Sequence, residues 1–151
     1  EDYGFDLVRP GLALYGGIPH QEARSTIGAV ARLEAQVLQL RSVEPGQSVG
    51  YNATFVADEP LRAAILNIGY ADGYMRTLAA SGSARFGAVQ LPIIGRISMD
   101  LIAVDASAAP ELLEGDWLEF DFHLEKLAAT SGLSQYELLT GLGRRWQRSW
   151  I

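Results

Sequence analysis

The chain has 151 residues, 48% of them hydrophobic, enough for one domain that buries roughly 70% of its unfolded surface. A surplus of 18 acidic over 12 basic residues gives a net charge of −6, which argues against nucleic acid or an anionic membrane as the main partner. There is no cysteine for a disulfide framework or a zinc–thiolate site, no run near the roughly 20 apolar residues that span a bilayer and no signal-peptide pattern, so the chain reads as cytosolic.

The opening run, "FDLVRPGLALYG", is apolar on both faces and reads as a parallel strand covered on two sides. Such a strand needs neighbours that this sequence does not supply, so the chain reads as part of a larger protein. A polar connection, "GGIPHQEARST", leads into a β pattern over 27–43. There Ala31, Leu33, Ala35 and Val37 alternate with Arg32, Glu34 and Gln36. The apolar phase then moves to Leu38 and Leu40, which predicts a β-bulge near Val37–Leu38. "EPGQ" turns the chain into the strand-like stretch "SVGYNATF". "LRAAILNIG", "VQLPIIG", "ISMDLIAVD" and "GDWLEFDF" are further strands, the second and third joined through Gly95 and Arg96. Leu124, Leu127 and Ala128 have helical spacing, and "TSG" ends that helix. Ser134 and Glu137 form a capping box ahead of a second short helix in "YELLTGLG". "RRWQRSWI" alternates again and reads as a closing strand. The chain is mainly β with a short helical pair near its C-terminus, and its glycine-turned short strands favour a barrel or sandwich.

The common catalytic sets are absent. His20 and His123 are the two imidazoles, far apart, with no metal-ligand pattern around either, so no protein metal site is expected. There is no phosphate loop, and Ser98 in "GRISMD" lacks the flanks of a nucleophile elbow. The carboxylates from Asp105 to Glu125 read as a solvated acidic face. Three segments remain: "VGYNATF", "NIGYADGYMR" and "GRISMD". Each sets a polar or aromatic residue beside glycine at a strand end, where side chains reach a shared cleft. Tyr51, between Gly50 and Asn52, reads either as a core tyrosine bonded to a backbone carbonyl or as a side chain projected from a kink.

In this order, between "VRPGLALYG" and "LLTGLGRR", these segments resemble the C-terminal part of alanine racemase, the pyridoxal 5′-phosphate (PLP) enzyme that interconverts L- and D-alanine for bacterial cell-wall D-alanine. The resemblance implies a β-barrel domain over 20–151 and, in residues 1–19, the last strand of an N-terminal (β/α)8 barrel that holds the PLP-bearing lysine. That lysine lies outside this chain, whose one lysine, Lys126, falls on a predicted surface helix. The chain alone is therefore expected to be inactive. The resemblance implies a cytoplasmic homodimer in which Tyr51 is the L-face catalytic base, acting on the partner subunit's cofactor, while the lysine serves the D face. A free phenol, with pKa ~10, needs a positive charge or a hydrogen-bond donor to act as a base near neutrality. Arg9 matches the residue that contacts the pyridine nitrogen as a permanent donor, and it ends a hydrogen-bond chain to the tyrosine through a barrel histidine. Gly11 and Leu12 match the phosphate-binding amides. Met99, through its N–H, and Tyr70 match the substrate-binding residues, and Asp100 either supports that loop or is purely structural. Tyr74 and Arg76 carry no implied chemistry. Many members of the family place a phosphate-binding tyrosine near the C-terminus where this chain reads "TGLGRR", with Gly143 or a neighbour at that place, and glycine cannot supply that hydroxyl.

Two other classes compete. Residues 124–145 resemble a DNA-binding helix-turn-helix, with Ala128, Gly132 and Leu138 in its small, turn and core positions. Against it stand the β-rich surroundings and the acidic balance. A β domain that serves only subunit association is the third reading.

Overall fold

The computed structural model describes residues 6–150. Among the described residues there are eight strands: β1 (Leu33–Val43), β2 (Ser48–Val49), β3 (Phe55–Val56), β4 (Leu61–Leu66), β5 (Ser83–Phe86), β6 (Val89–Ile94), β7 (Ile102–Asp105) and β8 (Trp117–Phe120). Six of them close a barrel in the order β1-β4-β7-β6-β5-β8, all antiparallel, and β2 and β3 form a separate ribbon. β1 makes closure possible. Its first half, Leu33 to Gln36, pairs with β8 and its second half, from Val37 to Val43, pairs with β4. The register shifts between Val37 and Gln39, so the expected bulge lies where the strand changes partner and bends.

The core follows from the pleat. Leu33, Ala35 and Val37 of β1, Ala64 and Leu66 of β4, Leu91 of β6, Ile102 and Val104 of β7, and Leu118 and Phe120 of β8 are buried together. Ala63, on the opposite face of β4 from Ala64, belongs to a second cluster with Val43, Ala57 and Ile94, against which Val49 and Phe55 of the ribbon pack. The ribbon is thus held on the barrel's outer face.

The helices α1 (Leu124–Ser131) and α2 (Gln135–Gly141) follow β8. Gly132, at φ 74°, ends α1. In the capping box of α2, Ser134 Oγ accepts from Glu137 N at 3.2 Å, and Ser134 N donates to Glu137 Oε2 at 2.7 Å. Leu124, Leu127 and Leu138 are buried in the main core, so the pair packs on the β domain as part of it.

Two expectations need correction, and one strand was missed. "VRPGLALYG" is no strand here. Residues 7–11 have no regular structure, Leu7 and Val8 are exposed, and Leu12–Tyr15 form one 3-10 turn; Phe5 lies outside the described residues. "RRWQRSWI" is not a closing strand either, because every barrel strand already has two neighbours; its Ile151 is not described. β5, too short and glycine-bounded to show periodicity, was not expected at all.

Candidate functional site

Tyr51 stands between the two strands of the ribbon. Gly50 has φ 80°, and the turn Tyr51–Ala53 carries two left-handed residues, Asn52 (φ 62°) and Ala53 (φ 48°). Asparagine tolerates this region, whereas for alanine it costs roughly 1–2 kcal/mol. Backbone strain of this kind gathers at functional turns. The phenol is 68% exposed, so the core-tyrosine reading fails. The turn is nonetheless anchored. A Cβ on Gly50 would lie 3.2 Å from Arg96 N, and one on Gly95 would lie 2.5 Å from Val49 O. The "VGYN" and "GRISMD" segments therefore meet backbone to backbone.

"NIGYADG" meets the same segment from the other side. A Cβ on Gly69 would collide with the Met99 carbonyl and fall 2.5 Å from Asp100 N, so only glycine permits this approach. Tyr70 N donates to Ser98 O and Ala71 N to Met99 O, each at 3.0 Å. Ser98 Oγ closes the turn, donating to Leu101 O and accepting from Leu101 N, both at 2.9 Å. Met99 is 53% exposed, and among the described residues its N–H has no acceptor. Tyr70 is partly buried with the Arg76 guanidinium 4.4 Å from its ring centroid, a cation–π contact. An open hollow of about 430 Å³ borders both, lined also by Met75 and Leu133. Tyr74, just beyond, is fully buried, and its hydroxyl has no partner among the described residues. Burial, then the Asp121 carboxylate, pushes this phenol well above its ordinary pKa. It stays protonated and is no base.

A charged bridge that sequence reading missed ties these turns together. Asp72 is buried; its Oδ2 accepts from Gly69 N at 2.9 Å, and its Oδ1 lies 3.1 Å from Arg145 Nε. Arg145 Nη1 donates to Asp100 Oδ1 at 2.6 Å. Asp100 first, then Asp72, raise the arginine's pKa further, so its charge is permanent. Trp146 Nε1 donates to Asp72 O at 2.7 Å. Gly143 sits against Ala71 O, and the Cβ it lacks would be 3.3 Å away.

The residues matched to cofactor binding form a second group. Arg9 is exposed, and Gly11 precedes the Leu12–Tyr15 turn. The first N–H groups of such a turn, at Leu12 and Ala13, have no acceptor within it. α2 holds this segment: Ile18 N donates to Gln135 Oε1, and Gln135 Nε2 donates to Ile18 O, both at 2.8 Å. A Cβ on Gly11 would collide with the Tyr136 hydroxyl, which makes no hydrogen bond among the described residues. No sequence signal marked Tyr136 for this place. Lys126 lies on α1, 2.6 Å from Asp121 Oδ2.

The carboxylates between Asp105 and Glu125 are less idle than a solvated face. Asp116 caps the turn at Leu113, Glu119 pairs with Arg85, and Glu125 pairs with Arg24. Among the described residues no three His, Asp or Glu side chains gather as a metal site, and no helix is long and apolar enough to cross a membrane.

Residues 30–150 match the family model described as alanine racemase, C-terminal domain. The catabolic alanine racemase of Agrobacterium fabrum is 46% identical over 99% of this chain and 40% of its own length. The alanine racemase of Cereibacter sphaeroides is 47% identical over 95% of this chain and 40% of its own. Among solved structures, the alanine racemase from Bartonella henselae with covalently bound pyridoxal phosphate superposes with a TM-score of 0.90 at 44% identity, over 99% of this chain and 43% of that one. The biosynthetic alanine racemase from Pseudomonas aeruginosa gives 0.82 at 37% identity, over 94% and 41%. The chain thus spans about 40% of the length of the curated relatives it matches.

Proposed function

Because this chain belongs to the alanine racemase C-terminal domain family, we propose that it is the C-terminal part of a PLP-dependent enzyme that interconverts L- and D-alanine. Its complement is a (β/α)8 barrel carrying the cofactor's lysine; residues 1–19 complete that barrel and residues 20–151 form the β domain. The enzyme is a cytoplasmic homodimer that supplies D-alanine for the cell wall, and the chain alone is inactive.

The observation that carries this reading is that Tyr51 and Met99 are both exposed on turns locked to one another through Gly50, Gly95 and Gly69. Turns held together in this way, with an exposed phenol on one and an N–H without an acceptor among the described residues on another, suit a half-site offered to another subunit. Two-sided proton transfer at Cα needs acid–base groups facing each other across the substrate. Tyr51 Oη takes the proton from the L face of Cα, or returns it there, at the partner subunit's cofactor. Met99 N–H donates to the substrate carboxylate, Asp100 supports its loop, and Tyr70 lines the approach.

The residues of the N-terminal segment fit the cofactor. Arg9 is exposed and can donate an N–H to the pyridine nitrogen without transferring its proton. Gly11 and Leu12 offer backbone amides to the phosphate, and the Tyr136 hydroxyl beside Gly11 takes the contact that Gly143 cannot make. When bound, PLP supplies the electron withdrawal that lets the Cα–H bond ionise.

Tyr51→Phe in the two-domain enzyme tests the assignment. Deuterium wash-in from L-alanine should collapse, while exchange at Cα of D-alanine persists. Equal losses from both enantiomers would make Tyr51 a structural residue.

A further inference from the structure

We propose that Arg145 is a positioning residue that sets the Met99 N–H in register with Tyr70, an inference that rests on the substrate-site reading above. The two turns leave neighbouring strands at the same end of the barrel, one following β4 and the other preceding β7, where Leu66 pairs with Ile102. Two backbone hydrogen bonds join them directly, Tyr70 N to Ser98 O and Ala71 N to Met99 O. Arg145 spans the same two turns through its side chain, with Nε on Asp72 and Nη1 on Asp100.

The two ends of this bridge differ. Asp72 is a buried carboxylate whose second oxygen already holds Gly69 N–H, so it is fixed to the turn that carries Tyr70. Asp100 is half exposed and adjoins the unpaired Met99 amide. Arginine's planar fork donates in two directions at once, which a lysine ammonium on its flexible stem does not reproduce in fixed geometry. The guanidinium therefore transfers the fixed position of Asp72 to Asp100, and through it to Met99. Trp146, next in sequence, bonds Asp72 O and keeps the arginine's backbone in place. Arg145 does not touch the reacting atoms in this account. It acts through Met99, so its loss should appear in carboxylate binding rather than in proton transfer.

The test uses the two-domain enzyme and propionate, a carboxylate of alanine's size that lacks the amino group. In Arg145→Met, propionate Ki and the KM for both enantiomers should rise about tenfold, the order expected when a charge-assisted contact is misplaced, while kcat falls much less. Arg145→Lys should recover part of the loss. Amide hydrogen exchange at Ala71 should quicken in Arg145→Met, a readout that needs no substrate. If that variant does not fold, Asp100→Asn, which leaves the Asp72–Arg145 pair intact, should show the same rise in Ki. An unchanged propionate Ki in the folded variant overturns the positioning role, whatever its exchange rates. An unmodified enzyme that binds no propionate overturns the substrate-site reading first, and the positioning role with it.

Discussion

The barrel and the three turns beside it are built on opposite principles. The barrel buries Leu118, Phe120, Leu91 and Val104 almost completely and closes its strands into a ring. The turns at 50–53, 69–73 and 95–100 leave Tyr51 and Met99 exposed and are held by backbone contacts at glycine and one guanidinium. Apolar area stabilises the first, and exact geometry fixes the second. A substitution should therefore damage one without necessarily damaging the other, and three changes probe that separation.

The largest effect belongs to the barrel. Phe120→Ala removes a 1% exposed ring that packs edge-on against Tyr74, with centroids 4.9 Å apart. Urea unfolding should show a loss of about 3–5 kcal/mol. A loss below about 1 kcal/mol would mean that the barrel core does not carry stability in the way described.

Gly69→Ala should cross the divide. Its Cβ would press on Met99 and Asp100 backbone, which cannot swing aside as a flexible side chain would. The cost in stability should be about 1–3 kcal/mol, the range for overpacking, with a rise in KM beyond it. Wild-type KM in the folded variant would show that the turns need not touch.

The smallest effect is pH-dependent and leaves the site untouched. Burial raises the Asp121 carboxyl, but Lys126 and His123 more than offset this, leaving it below its ordinary value. A depressed carboxylate adds stability above its unfolded pKa of about 4 and loses it as pH falls through the lower folded value. Lys126→Met should therefore lower stability by under about 1 kcal/mol at pH 7, with the difference vanishing as pH falls below about 4. Thermal melts at pH 7 and pH 3 measure this. An equal loss at both would point to packing rather than charge.

The same contrast explains what the sequence disclosed. Alternation in β1, with its phase change after Val37, revealed both the strand and its bulge, because burial on one face writes itself into local order. The capping box at Ser134 and Glu137 was equally local. The tail 144–151 misled because Arg and Trp alternate there for other reasons. Trp146 is held by Asp72 O, 74 positions away, and Arg145 by Asp100, 45 positions away. Glycine beside Tyr51, Tyr70 and Met99 marked three irregular turns, but nothing local said that they touch. Asp72 and Tyr136 stayed silent for the same reason: each acquires its role from a partner that only folding brings near.

The central claim is that Tyr51 serves a site completed by another subunit. Subunits bearing Tyr51→Phe should be mixed with subunits whose barrel lacks the PLP-bearing lysine, and racemisation should be measured after exchange. Each parent is inactive. Half of randomly mixed dimers are mixed, and each pairs one intact lysine with one intact Tyr51, so about a quarter of the unmodified activity should return. If the mixture stays as inactive as its parents although mixed dimers have formed, Tyr51 acts within its own subunit or not at all.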